Sequence, residues 1–413
     1  MRAICVLIHR YVGLLMVPFL FVTGLTGAII SWDHELDKLL NPQLMHVPTR
    51  SPAVPAMSSL ALARRIEARD ARVRVSFIPL VAEAGQSLAF GVQARIDPAT
   101  GRPFAAGYNQ VFIDPADGAE LGRREWGAVW PITRETFVSF LYKLHFSLHL
   151  PPMWGSDRWG IWLLGTVALL WTVDCFTGVY LTFPAPPRRA AASRSWYQRW
   201  QTSWRIRRGA GSYKLNFDLH RAFSLWTWAL LLILAFTAFS LNLYREVFYP
   251  VLSAVSQVTP TPFDTRRMAD PDQPIEAQVD FAAIVDCAQA EAQRRDWREP
   301  PGSVFYSTAF GVYGVQFFVP GGDHGAAGVG PPRLYFDGQD GRLLGERLPW
   351  RGTVADLFVQ AQFPLHSGRL LGLPGRILIS SMGFVVAMLS ATGAYVWWRK
   401  RRSRRQYRDR SAP

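Results

Sequence analysis

The chain has 413 residues, 49% of them apolar, with 16 tryptophans and a formal net charge of +14. Three cysteines with no CxxC spacing exclude a disulfide framework and a cysteine-based metal or redox motif. A basic chain suggests nucleic acid first, but here the charge is concentrated in short segments beside long apolar runs, which points to a membrane and to no nucleic-acid partner.

In chain order, residues 1–32 hold a first span, uncharged over 11–32. It is too long for a signal peptide and lacks an AxA-like cleavage site, so an uncleaved first helix is expected. Residues 33–143 follow as a polar segment. It has a helical stretch at 60–69, a strand pair around 87–96, and then Val111-Phe112-Ile113-Asp114, Asp117-Gly118 and Leu121-Gly122, a strand, a tight turn and a strand. Residues 144–184 carry His145 and His149 and a second span at 160–183, whose single acid is Asp174. A basic loop occupies 185–216; eight Lys and Arg and no acid fall between 184 and 215. Residues 217–245 hold the third span, apolar over 222–243. Residues 246–360 form a second polar segment, with a helical stretch at 281–295, strands around 304–319, and Leu334-Tyr335-Phe336-Asp337, Asp340-Gly341 and Leu344-Gly345. Residues 361–398 carry His366 and a fourth span at 377–398, and 399–413 form a basic tail.

Each span meets the roughly 20 apolar residues that a bilayer crossing needs. Basic short segments stay in the cytoplasm, so both termini and the central loop are expected there, with the two long segments outside. The fold class expected is a bundle of four transmembrane helices with two extracytoplasmic α+β domains, internally duplicated. The duplication rests on repeated motifs. Leu7-Ile8-His9-Arg10 matches Asp218-Leu219-His220-Arg221, Thr177-Gly178-Val179-Tyr180 matches Thr392-Gly393-Ala394-Tyr395, and the two strand–turn–strand units match each other. Two such halves pack around a pseudo-twofold axis along the membrane normal.

Six of the eight histidines fall at membrane borders. His9 and His220 occupy equivalent cytoplasmic positions, and a twofold axis sets them on opposite sides of one flat macrocycle, as axial ligands of haem b. Gly13 and Gly24 are expected to admit a ring face, and Arg10 and Arg221 to pair with propionates. On the external side stand His34, His145, His149 and His366. His145 and His149 are four apart on one helix face and could also bind a metal directly. His366 matches His145 by local motif and His149 by distance to the Thr-Gly pair. Two of these four are expected to hold a second haem, with the pairing open. Between His9 and His34 the first helix spans about 37 Å, a long gap for electron transfer. Asp174 is read as a partner of an arginine or a haem group, a proton path, or a structural acid.

The motifs Leu7-Ile8-His9-Arg10 with Gly13-Leu14, His34-Glu35-Leu36-Asp37 with Asn41-Pro42, the run 144–150, WTVDCFTGVYLTFP at 171–184, Pro364-Leu365-His366-Ser367-Gly368-Arg369 and Gly372-Leu373-Pro374-Gly375-Arg376 resemble the PepSY-associated transmembrane family. The resemblance covers almost the whole chain. It implies PepSY-like external domains and, through family members that are dihaem siderophore-iron reductases, bis-histidine haem ligation by His9, His220, His34, His145, His149 and His366. It also implies an oxidoreductase of the bacterial inner membrane that delivers electrons to a ferric siderophore or other ferric chelate for iron uptake. No GxGxxG fingerprint is present, and the cytoplasmic parts are too short for a flavin or nicotinamide domain. The donor expected is therefore a separate reductase, a free reduced flavin or a quinol. The alternative is a haem-free protein whose PepSY modules bind or regulate an extracytoplasmic protease. A transporter would need broken midplane helices and intramembrane charges, which are mostly missing.

Overall fold

The computed structural model describes residues 1–48, 57–186 and 195–410. Arg188, Arg189 and Arg194 of the basic loop lie outside the described residues, as does the end of the tail from 411. The chain divides into two compact units. One comprises Met1–Trp32, Leu141–Val251 and Gln362–Pro413; the other comprises Asp33–Phe140 and Leu252–Ala361.

The elements used below are, in chain order, α1 (Arg2–Ile30), α2 (Asp33–Leu40), α3 (Ser59–Arg69), β1 (Val73–Pro79), β2 (Leu88–Ala94), β3 (Gln110–Ile113), β4 (Glu120–Arg124), α4 (Arg134–Ser147), α5 (Trp159–Thr182), α6 (Ser212–Trp226), α7 (Trp228–Asn242), α8 (Phe281–Arg294), β5 (Pro301–Ser307), β6 (Val312–Phe317), β7 (Arg333–Asp337), β8 (Leu343–Arg347), α9 (Val354–Ser367) and α10 (Gly372–Arg410).

In the first unit, α1, α5 and α10 are each long and apolar enough to cross a membrane. The third span is not one straight helix. α6 and α7 meet at Thr227 with a bend of 75°. Thr227 leaves helical geometry there, its hydroxyl donates to the Phe223 carbonyl at 2.7 Å, and the next residue, Trp228, turns its indole N–H to the Cys175 carbonyl of α5 at 3.0 Å. α7 alone has 15 residues, about 22 Å of helix, so a crossing of the roughly 30 Å hydrocarbon layer draws on part of α6 as well. α1 packs chiefly on α10, α5 on α7, and α6 on α10. The α1–α10 contact is close because both faces carry glycine. A Cβ at Gly24 would lie 2.7 Å from the Gly383 carbonyl oxygen. Gly24 therefore serves helix packing and does not open a space for a ring, while Gly13 has no atom within 4 Å of a Cβ position. Leu15, Val173 and Phe384 are more than half exposed. Such apolar side chains belong against lipid, and the unit is that of a multi-pass membrane protein in contact with the bilayer.

The second unit is built on one antiparallel sheet of eight strands, in the order β8-β7-β6-β5-β1-β2-β3-β4. The first extramembrane segment supplies one half and the second the other; β1 and β5 join them, with Phe77 opposite Phe305 and Ile78 opposite Val304. Where the sequence suggests two α+β domains, the sheet is continuous. α3 and α8 share a single core, in which Leu62, Ile66 and Ile284 pack with Val73, Phe90, Val304 and Val315. The turns at Asp117-Gly118 and Asp340-Gly341 form as the sequence predicts; the two glycines take φ of 71° and 73°, a left-handed conformation in which a side chain is strained. Arg124 is buried at the end of β4 and makes a bidentate pair with Asp37 of α2, at 2.8 and 2.7 Å. A buried guanidinium needs such a partner.

Candidate functional site

Four histidines of the membrane unit come together in two pairs. His9 of α1 faces His220 of α6 with ring centres 6.2 Å apart, and His145 of α4 faces His366 of α9, also at 6.2 Å. Each imidazole is seated in the same way on a neighbouring helix. His145 Nδ1 lies 3.1 Å from Thr26 Oγ1, His366 Nδ1 2.9 Å from Thr237 Oγ1, and His220 Nδ1 3.3 Å from Thr392 Oγ1. Those hydroxyls already donate to carbonyls one turn back in their own helices, at Val22, Ile233 and Met388. They therefore present lone pairs to the rings, and Nδ1 carries the proton. At His220 the carbonyl three residues before the threonine, that of Leu389, accepts as well, at 3.0 Å.

His9 is the variant of this seat. The residue three before Thr177 is Asp174, and its carboxylate, 2.9 Å from His9 Nδ1, takes the place of the carbonyl. Thr177 in turn donates to the Asp174 carboxylate at 2.5 Å. Asp174 is thus the partner of a ring nitrogen and not of an arginine.

In every case Nε2 is left with the lone pair. Metal-ligating histidines commonly hold their second nitrogen this way, which fixes the tautomer and the ring orientation. The residue after each threonine is small: Gly27, Gly178, Ala238 and Gly393. A Cβ at Gly27 would fall 2.8 Å from His145 Cε1, at Gly393 3.1 Å from His220 Cε1, and at Gly178 3.6 Å from His9 Cε1. The repeated Thr-Gly pairs of the sequence are therefore the surfaces on which imidazoles lie. Thr26-Gly27 and Thr237-Ala238 also form a repeated pair, each threonine 17 residues after the histidine of its own span, His9 or His220, a recurrence the repeated motifs named above do not include.

A cavity of about 1380 Å³ surrounds His9 and His220, with Trp171 and Trp228 among its apolar lining and Arg2, Arg10 and Arg401 among its basic lining. Gly13 lines it too. Arg221 also borders it, but its guanidinium is engaged by Asp218 at 3.0 Å and by the Thr202 carbonyl.

The other expected ligands lie elsewhere. α4 ends at Ser147, and Leu148 and His149 have φ of 54° and 52°. This breaks the helical register, so His149 does not share a face with His145 as the i, i+4 spacing suggests. His34 belongs to the other unit. It is exposed, and its ring is 5.0 Å from that of His324, a residue that reads as ordinary in the sequence. Arg376, in the family-like motif at 372–376, donates to the Ser31 carbonyl at 2.7 Å and stacks on Trp32.

A unit with three helices long and apolar enough to cross a membrane, and a fourth, bent pair, is that of a multi-pass membrane protein, and its four histidines stand in two facing pairs. The family model of the PepSY-associated TM region matches residues 6–400, and the chain belongs to that family. Among curated proteins no match was found.

Proposed function

We propose that this protein holds two haem b groups, one between His9 and His220 and one between His145 and His366, and carries electrons across the bacterial inner membrane to a ferric chelate such as a ferric siderophore, as an oxidoreductase of iron uptake. The observation that carries the proposal is the pair spacing. An imidazole nitrogen sits about 2 Å from the metal it ligates, so two rings on opposite sides of one ion have centres about 6 Å apart, close to the 6.2 Å of both pairs. Haem ligated in this way supplies one-electron transfer without an open position on the iron.

The chain's own groups supply the rest. Thr26, Thr237, Thr392 and Asp174 hold the Nδ1 protons and so keep each Nε2 basic. Arg10, lining the cavity, is suited to pair with a propionate carboxylate, whereas Arg2 donates to the Leu181 carbonyl at 2.8 Å and Arg401 stacks on Trp397. Thr26 and Gly27 seat the second pair about 26 Å along α1 from His9, a shorter path than the one through His34. The matching seats in the two halves favour a duplicated architecture. The basic loop and tail favour cytoplasmic termini. Electrons would enter from a separate reductase, a reduced flavin or a quinol at the His9–His220 side, and leave at the His145–His366 side.

Purified full-length protein tests this directly. Expected are two haems per chain by pyridine haemochrome, a low-spin spectrum, and reoxidation of the dithionite-reduced protein by a ferric siderophore with ferrous iron caught by a chelator. His220→Ala and His366→Ala should each lose about half the haem, one per bis-histidine site, while His149→Ala keeps all of it. A protein that contains no haem leaves the protease-regulating alternative. One that is oxidised by quinone or copper but by no ferric chelate remains an electron relay with a different acceptor.

A further inference from the structure

Outside the membrane unit, His34, Asp323 and His324 form a cluster that the haem sites do not use. We propose that these three residues bind a divalent first-row transition-metal ion. His34 opens α2 in the first extramembrane segment, whereas Asp323 and His324 sit in the loop between β6 and β7 in the second. Fold alone brings them together. One ligand atom from each lies within 4.8 Å of the others. Ligands of one ion at about 2.0–2.1 Å are about 3.4 Å apart in a tetrahedron and at most about 4.2 Å apart across the ion, so closing on an ion takes a side-chain adjustment of up to about 1.5 Å at the widest pair. His324 and Asp323 are 44% and 49% exposed, and an exposed side chain makes that movement freely.

The loop that presents the pair is held by its own backbone. Gly330 N–H donates to the His324 carbonyl at 2.9 Å, and the Trp350 indole donates to the Ala326 carbonyl at 3.0 Å. At Gly325, φ is 63° and a Cβ would collide with the Gly330 carbonyl. The ligand-bearing backbone is therefore set before an ion arrives, and only the side-chain tips move.

The donor set selects the class of ion. Two imidazole nitrogens and one carboxylate oxygen suit Zn²⁺, Cu²⁺, Ni²⁺ or Fe²⁺, whereas Ca²⁺ and Mg²⁺ prefer all-oxygen shells. Binding replaces three waters of the hydrated ion with two nitrogens and one oxygen and changes no oxidation state. The remaining positions face solvent, which makes the site exchangeable and able to take an ion that still carries part of another chelator.

The site is independent of haem, and so is its test. Untagged full-length protein in detergent, with the exposed Cys287 replaced by Ser in every sample, is titrated with Cu²⁺ and followed by electron paramagnetic resonance, with Zn²⁺ as a competitor. Expected is one tight Cu²⁺ per chain with superhyperfine splitting from two ring nitrogens, displaced by Zn²⁺ and not by Ca²⁺. His34→Ala and His324→Ala should each weaken binding at least about tenfold, since even groups that merely support a ligand are worth 10–100-fold, and Asp323→Asn should weaken it less. All three variants should keep the parent's haem content. Unchanged Cu²⁺ affinity in the His34→Ala/His324→Ala double variant overturns the proposal. So does loss of haem from His34→Ala, which would return His34 to the membrane site.

Discussion

His9 Nδ1 and the carboxylate of Asp174 lie 2.9 Å apart across the α1–α5 contact, whereas Nδ1 of His145, His220 and His366 meets a threonine hydroxyl or a backbone carbonyl. A carboxylate draws the ring proton more strongly than a carbonyl or hydroxyl does, gives the imidazole more anionic character, and so favours the higher oxidation state of a metal on Nε2. Asp174→Asn keeps the shape and removes the charge. The midpoint potential of the His9–His220 site should rise by tens of millivolts, at about 59 mV for each tenfold change in relative affinity for the two oxidation states. The other site should not move. Potentiometric titration of the two proposed haems checks this, and equal shifts at both sites would count against the assignment.

The three glycines beneath imidazoles should respond to methylation in order of clearance. Gly27→Ala puts its methyl 2.8 Å from His145 Cε1, Gly393→Ala 3.1 Å from His220 Cε1, and Gly178→Ala 3.6 Å from His9 Cε1, an ordinary contact. Occupancy of the His145–His366 site should fall most, that of the His9–His220 site modestly with Gly393→Ala, and Gly178→Ala should resemble the parent. Haem per chain gives the ranking, and a reversed order would show that the rings rest elsewhere.

The topology is open to direct labelling. In a Cys287→Ser background, because the native thiol there is exposed, a cysteine introduced at Ala192 or after Pro413 should resist an impermeant thiol reagent in intact cells and react once the membrane is permeabilised. One introduced at Asp340, in the turn between β7 and β8, should react at once.

The extramembrane unit should lose stability in acid. Asp70 accepts hydrogen bonds from the Arg72 side chain at 2.9 and 2.8 Å and from Tyr108 at 2.9 Å. The Arg72 contact, working against partial desolvation and helped by Tyr108, holds its carboxyl well below the usual carboxylate range. A depressed carboxylate contributes stability that is whole above its unfolded value, near 3.9, and drains away as pH falls from there toward the folded value. The same contact and loss of solvent push Tyr108 up to about 12, burial being the larger cause. Arg72→Met should flatten the acid limb of the melting temperature below about pH 4 without changing its shape near neutrality. A thermal melt followed by far-ultraviolet circular dichroism at pH 3, 4, 5 and 7 measures it.

Sequence patterns carry local facts well here and pairings poorly. Apolar runs mark α1, α5 and α10, and the motif around His9 and His220 marks two residues that the structure sets face to face. The bend at Thr227 is invisible to hydropathy, because both arms are apolar near the joint, and the Trp228 indole beside it meets the Cys175 carbonyl of another helix, a contact no local pattern predicts. The external histidines could not be paired from spacing, since the i, i+4 relation of His145 and His149 presumes a helix that stops at Ser147. β1 also escaped notice. A bulge between Val75 and Phe77 breaks its alternation, so that Ile78 and not Phe77 is buried, and its importance lies in pairing with β5, a partner no local pattern names. The recurrence of threonine followed by a small residue in α1, α5, α7 and α10 was present in the sequence, and its meaning depended on knowing that an imidazole rests on each.

The join between β1 and β5 also orders events in time. Phe77 and Phe305 are roughly 230 residues apart, and at 5–20 residues per second the ribosome needs on the order of 10–50 s to make that interval. Through that wait the first half-sheet carries β1 as an open edge of apolar-rich strand, the kind of edge that recruits other chains. Newborn protein is therefore most vulnerable between the emergence of the two extramembrane segments. A chain cut short after α7 is left with a half-core and a bare strand.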